Sequence, residues 1–215
     1  MSSATRPTTP KGRATEKRLL DAAREVAIAH DGHIEIATVA QAAGVVPSLV
    51  HRYFGSKAGL VGALVDDFYD RFHTEVLDLD LEAEGDWAHH ERKRLELGVR
   101  FHYREPFAPV LYGVLAREPE VARRDAARIA VVVDRSARSI RRGQKMGELP
   151  VGVDPGLAGA AMFGAMQLVF VEALTRSPRP SARKVIDVLW HQVCASVRID
   201  PNGMDSGSMD PGSTA

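Results

Sequence analysis

A single cysteine, Cys194, occurs among 215 residues, so no internal disulfide can form. That excludes a cross-linked scaffold and suits a reducing cytoplasm. Cys194 follows Val193 in an apolar helical pattern and reads as core. An excess of one charge is also missing. The 28 Lys and Arg balance the 28 Asp and Glu, and the formal net charge is +0. A protein coated throughout by nucleic acid is thereby excluded. No apolar run is expected to reach the roughly 18–20 residues that cross a bilayer. The polar start Met1-Ser2-Ser3-Ala4 lacks an apolar signal region. A soluble, cytoplasmic chain without a membrane partner is expected. The sequence also lacks a Gly-rich phosphate loop, a His-Glu-x-x-His pair and a nucleophile elbow. No enzyme activity, catalytic residue, metal or cofactor is therefore expected. His89-His90 and His30/His33 are the histidine pairs that could suggest a metal. Adjacent histidines point in different directions on a helix, and a histidine at a helix end commonly stabilises that end.

Helical periodicity is what the chain does contain, with no convincing strand alternation, so an all-α fold is expected. Hydrophobic content of 45% is ordinary for a globular protein, and the length allows a small motif domain plus a larger one. From Thr5 to Leu20, five basic residues (Arg6, Lys11, Arg13, Lys17, Arg18) face one acid, Glu16. Such a local basic segment is the electrostatic footprint of DNA binding. Residues 1–12 are expected as a flexible basic arm.

Two short helices joined by a glycine turn follow. Val39, Ala40 and Ala43 share one apolar face, Gly44 permits the positive backbone angle that ends a helix sharply, and Val45 plugs the corner. Pro47 suits a first helical position. Leu49 or Val50, then Phe54, return to the core at helical spacing. Ser48, His51 and Arg52 are left outward with donors for phosphates or base edges. Ser56 can cap a further helix that starts at Lys57. This is the plan of a helix-turn-helix, which presents one helix to the DNA major groove.

The segment from about Lys17 to Leu64 resembles the amino-terminal DNA-binding domain of the TetR family of transcriptional regulators. The resemblance rests on the helix Arg18–His30 ending at Asp31-Gly32, on Val39-Ala40-x-x-Ala43-Gly44-Val45, and on Val50-His51-Arg52-Tyr53-Phe54-x-Ser56-Lys57-x-x-Leu60. Family members often carry Ser or Thr at the positions of Glu35 and Val46, and Thr and Tyr at those of Leu49 and His51. By position, Lys57, Arg52 and Tyr53 are expected on the DNA backbone, and Pro47, Ser48, Leu49 and His51 toward the groove. Ala37 stands where some relatives carry a base-reading residue. The expected DNA-binding domain spans residues 13–60.

Downstream, a helix from Ser56 to about Leu77 would tie this domain to residues 61–199, expected as a helical ligand-binding and dimerisation domain. Helices are expected from Trp87 through Phe101, over Phe107–Ala116, from Glu120 to about Gly143, over Pro155–Thr175 and over Ser181–Arg198, with an acidic loop between Asp78 and Gly85. Arg124, Arg128, Arg135 and Arg142 read as a solvated face. The helix Pro155–Thr175 is apolar almost all round and must be covered. Paired by a twofold with the last helix, it gives a four-helix interface. The resemblance implies the same homodimer through the last two helices. It further implies an operator DNA partner, repression as the commoner mode, and a small-molecule effector held among the middle helices. Apolar and aromatic side chains that could line that site are Trp87, Leu97, Phe101, Phe107, Leu111, Tyr112, Met162, Phe163, Met166 and Phe170. His90, Arg94, His102 and Tyr103 could add polar handles, and the lining suits an apolar or weakly acidic metabolite. The Gly/Ser/Asp-rich residues 200–215 are expected to be disordered. The competing reading is a helical protein-interaction adaptor, or a metal-responsive protein, that kept the fold without binding an operator.

Overall fold

The computed structural model describes residues 9–81 and 85–202, and among these every regular element is helical. In chain order they are α1 (Pro10–Ala29), α2 (Ile36–Ala42), α3 (Pro47–Phe54), α4 (Lys57–Phe72), α5 (Trp87–Arg104), α6 (Ala108–Gly113), α7 (Pro119–Lys145), α8 (Pro155–Thr175) and α9 (Ala182–Val197). A π-helical turn, His73–Leu77, extends α4, and a 3-10 turn, Leu115–Arg117, follows α6.

Local signals account for most of the boundaries. Asp154 accepts from Leu157 N at 2.9 Å, with Pro155 in the first turn of α8. Ser181 caps α9 by accepting from Lys184 N at 3.3 Å. Two boundaries differ clearly from expectation: α6 ends at Gly113 rather than Ala116, with a separate 3-10 turn after it, and α1 begins early. Helix α1 starts at Pro10, well before Arg18, because Thr9 caps it (Gly12 N to Oγ1, 3.1 Å) and Pro10 needs no N–H partner there. Residues 10–12 of the expected flexible arm are therefore helical, and 1–8 lie outside the described residues. Most of the expected disordered tail, 203–215, also lies outside them.

The chain divides into two units. The first takes Met1–Asp78 and Phe101–Arg128, and the second Leu79–Arg100 and Ile129–Ala215; α5 and α7 contribute to both. In the first unit α1 packs on α2 and α4, and α3 on α2 and α4. Its fully buried residues include Leu19, Ala23, Ala27, Val39, Val50, Leu60 and Leu64. Helix α4 is then held by aromatic rings. Phe68 sits edge-on to Phe101 at 5.3 Å and to Phe107 at 6.0 Å, and Phe72 lies 5.4 Å from Phe101. Ion pairs surround this contact: Arg24 with Asp67, Arg71 with Asp67 and Glu105, and Arg104 with Glu75. Arg124 and Arg128, read from sequence as solvated, instead clasp Asp66 of α4, and Arg128 lies 4.6 Å over the Tyr69 ring. Arg128 pairs with both Asp66 and Asp125, and Arg124 also pairs with Glu120 at 2.7 Å.

In the second unit Trp87, Ile140, Leu149, Val153, Trp190, Val193 and Cys194 form one core cluster. The Trp87 indole N–H donates to Ser139 Oγ at 2.9 Å, and that hydroxyl donates to Glu91 at 2.9 Å. Burial pushes the Cys194 thiol up to about 11, as expected of a core cysteine. Helix α8 packs along α9. It also corrects one expectation: by length and composition it is long and apolar enough to cross a membrane. Gln167 and Glu172 break the run, which hides its length when apolar residues are counted one by one. Only 28% of its most apolar window is buried, and Leu157 and Leu168 remain 74% and 73% exposed.

Candidate nucleic-acid interface

Val39 and Ala40 on α2 and Ala43 at its C-cap face inward together with Val50 and Phe54 on α3, as the spacing predicts. Between the helices Gly44 adopts φ +65°, where a Cβ-bearing residue would be strained. The turn closes with Val45 N donating to Ala40 O at 2.9 Å. Packing decides between the two residues that sequence leaves open: Val50 is fully buried and Leu49 half-buried. Glu35 and Val46, at the N-caps of α2 and α3, make no side-chain cap bond, whereas Ser56 accepts from Gly59 N at 3.0 Å.

The side chains expected to meet DNA are distributed accordingly. Ala37, Pro47, Ser48, His51, Arg52 and Lys57 are exposed, and Leu49 and Tyr53 are half-buried. No acid occurs in α3, whose last turn carries His51 and Arg52. His51 Nδ1 lies 3.4 Å from Gly55 O, folded back on its own helix end. The Tyr53 hydroxyl reaches the Gly12 carbonyl at 3.4 Å, so it bears on the junction of α1 and α3. The exposed Lys11, Arg13, Lys17 and Arg18 stand along α1, with Lys17 paired to Asp21 at 2.6 Å.

Two features of this region escape sequence reading. Lys57 Nζ donates to Glu35 at 2.7 Å across 22 residues of chain, and this bond with the nearby ammonium holds the Glu35 carboxyl below its ordinary range. Gly59 is the second. A Cβ there would stand 2.0 Å from the Phe54 carbonyl oxygen, so the α3–α4 corner closes only over glycine. A glycine in the first turn of α4 was the visible signal.

The residues proposed for an effector divide between the two units. In the first, Phe101, Phe107 and Leu111 are buried, and Tyr112 joins a polar chain. His102 Nε2 lies 3.0 Å from the Tyr112 hydroxyl, and Tyr112 is hydrogen-bonded to Tyr69. Burial, then the Asp125 charge, push the Tyr69 phenol up to about 12; burial raises Tyr112 as well. Tyr103 is half-buried. In the second unit, Trp87 and Phe170 are fully buried and His90 nearly so. Arg94, Leu97, Phe163 and Met166 are half-buried, and Met162 packs against the cluster that holds Trp87. Among the described residues, no group of three His, Cys, Asp or Glu side chains could hold a metal.

Residues 19–64 match the family model for bacterial regulatory proteins of the tetR family. The fold is similar to that of SmeT, the repressor of the Stenotrophomonas maltophilia multidrug efflux pump SmeDEF. That match has 18% identity and a TM-score of 0.72, over 92% of this chain and 94% of that one. Salmonella enterica GusR matches at 20% identity and a TM-score of 0.68, over 90% and 100% of the two chains. NalD of Pseudomonas aeruginosa, the secondary repressor of the MexAB-OprM multidrug efflux pump, matches at 18% and 0.65, over 86% and 96%. Comparison with curated protein sequences gave no match.

Proposed function

We propose that this chain, whose residues 19–64 match the family model for bacterial regulatory proteins of the tetR family, is a cytoplasmic, ligand-responsive repressor that binds a palindromic operator as a homodimer. The observation that carries the reading is the two-sidedness of α3. One side is anchored by Val50 and Phe54, while Ser48, His51 and Arg52 stand in solvent. A helix held rigidly from behind, with donors and no acids in front, is built to enter a major groove. Lys57 at the start of α4 lies where a neighbouring phosphate would be met.

A single reading helix makes few base contacts, so two copies are needed, one DNA turn or about 34–36 Å apart. The pairing surface we assign is the open side of α8 and α9. Leu157, Ala161, Leu168 and Val171 are exposed at successive spacings of four, seven and three residues, which places them on one seam. Val188 of α9 is 51% exposed and adds to it. An apolar seam of this kind needs a partner in water. A second copy of the chain supplies one without requiring a membrane.

The effector is an apolar or weakly acidic metabolite, released DNA being the result of its binding. The support is compositional: Phe163 and Met166 are half-buried, and Arg94 is a cation at similar depth. Repression agrees with SmeT and NalD, which are repressors. Selection of bound sites from random duplex, repeated with cell extract, tests the proposal. A palindromic consensus whose binding is weakened by extract is expected. A monomeric chain without affinity for any duplex at low ionic strength overturns it.

A further inference from the structure

Lysine is a poor choice for the first residue of a helix, because that end of the macrodipole favours anions. Helix α4, 16 residues long, begins with Lys57 and has no acid in its first turn. The place therefore calls for negative charge from elsewhere. A DNA phosphate would supply it, and in the free protein Glu35 does, at 2.7 Å from Lys57 Nζ. Both side chains are open to solvent, 53% exposed for Lys57 and 70% for Glu35, so nothing buries the pair or makes it structural. Glu35 makes no cap bond to its own helix. His33 is the other titratable group facing it, and its charge has the same sense as that of Lys57. Among the described residues, the carboxylate's ion pair is with Lys57, the residue proposed to meet phosphate.

We propose that Glu35 is a built-in phosphate substitute, an attenuator that occupies Lys57 until DNA displaces it. The inference rests on the DNA-binding reading above and concerns how tightly that surface holds any duplex. Binding then becomes an exchange of one anion for another. With Glu35 in place, Lys57 neutralises no additional phosphate on net, and the counterion release it would otherwise drive is lost. Each neutralised phosphate steepens the dependence of log K on log salt by about 0.9. Removal of the carboxylate thus adds about 0.9 to the slope per protomer. At 0.1 M salt that is about an eightfold gain per protomer, or about sixtyfold for a dimer with both heads engaged, fading toward 1 M. Because Lys57 reads phosphate rather than bases, the gain is the same for every sequence.

The test uses the full chain and a fluorescently labelled mixed-sequence duplex, with anisotropy followed through a potassium chloride series. Wild type, Glu35→Gln, Lys57→Ala and the double variant are compared, and thermal unfolding confirms that all four fold alike. Glu35→Gln is expected to bind more tightly with a steeper salt slope, and to gain little when Lys57 is already alanine. Salt-dependent binding by wild type with no change on Glu35→Gln overturns the attenuator and leaves the DNA-binding reading standing. An equal gain in the Lys57→Ala background also overturns it, since Glu35 would then repel DNA directly. No binding by any variant at low salt removes both readings. Binding by Glu35→Gln alone supports both.

Discussion

Leu168→Glu is the most direct probe of the α8 seam. Leu168 is 73% exposed in the single chain, so the substitution removes almost nothing from the fold of one protomer. Full burial of a leucine side chain contributes roughly 1.5–3 kcal/mol. Scaled by that exposure, one Leu168 buried at the interface contributes about 1–2 kcal/mol, and the twofold doubles it to about 2–4 kcal/mol. Since about 1.4 kcal/mol is tenfold in an equilibrium constant, the dimer should weaken by about 30- to 1000-fold from lost burial alone. The glutamate adds a charge, and the twofold can bring its mate close, so the loss is larger still. Sedimentation equilibrium across a concentration series measures the constant. Circular dichroism of the separated protomers shows whether the helices persist. DNA affinity should fall in parallel, because a lone head loses its linked partner. A Leu168→Glu chain with wild-type dimer affinity would refute the seam, and so would a chain that loses its helical signal when diluted to monomer.

Other perturbations test the reading head and the core beneath it. Lys57→Ala should weaken binding to all duplexes alike, and in the Glu35→Gln background, where Lys57 is free of its carboxylate, it should lower the salt slope by about 0.9 per protomer, read by anisotropy. Altered base preference would refute its phosphate role. Ser48→Ala should change preference at one or two base pairs in a random-site selection, with overall salt dependence kept. Gly59→Ala places a methyl 2.0 Å from the Phe54 carbonyl oxygen. It should cost about 1–3 kcal/mol or more in denaturant unfolding, as the corner must open. The Tyr69 phenol titrates at about 12 in the fold against its ordinary 10. A raised folded value means stability fully present below pH 10 and lost as pH rises toward 12, by roughly 3 kcal/mol. Tyr69→Phe should reduce the alkaline loss in a urea series, Tyr112 supplying the remainder, and a profile unchanged by the substitution would refute the assignment.

Much of the architecture is legible in local chemistry. Gly44 and Pro47 punctuate α2 and α3, and Asp154-Pro155 starts α8, because a turn angle or a missing N–H is decided by the residue itself. The same signal at Thr9-Pro10 starts α1, and reading it there would have moved that boundary. The outward set Ser48, His51 and Arg52 is legible for a similar reason: a 3.6-residue period sorts side chains once the core face is known. Leu49 against Val50 is not sorted this way, since the two are neighbours on the helix and only the fit against α2 and α4 selects one.

By itself, then, the chain determined its helices, its glycine turn and the face that α3 keeps wet, all interactions that span a few residues and depend on backbone geometry. Tertiary structure decided whom the charges meet. Glu35 finds Lys57, Asp66 finds Arg124 and Arg128, and Tyr69 is hydrogen-bonded to Tyr112. The reason is physical: long polar side chains have no periodicity of their own, and which partner lies in reach is known only after the helices carrying them have packed.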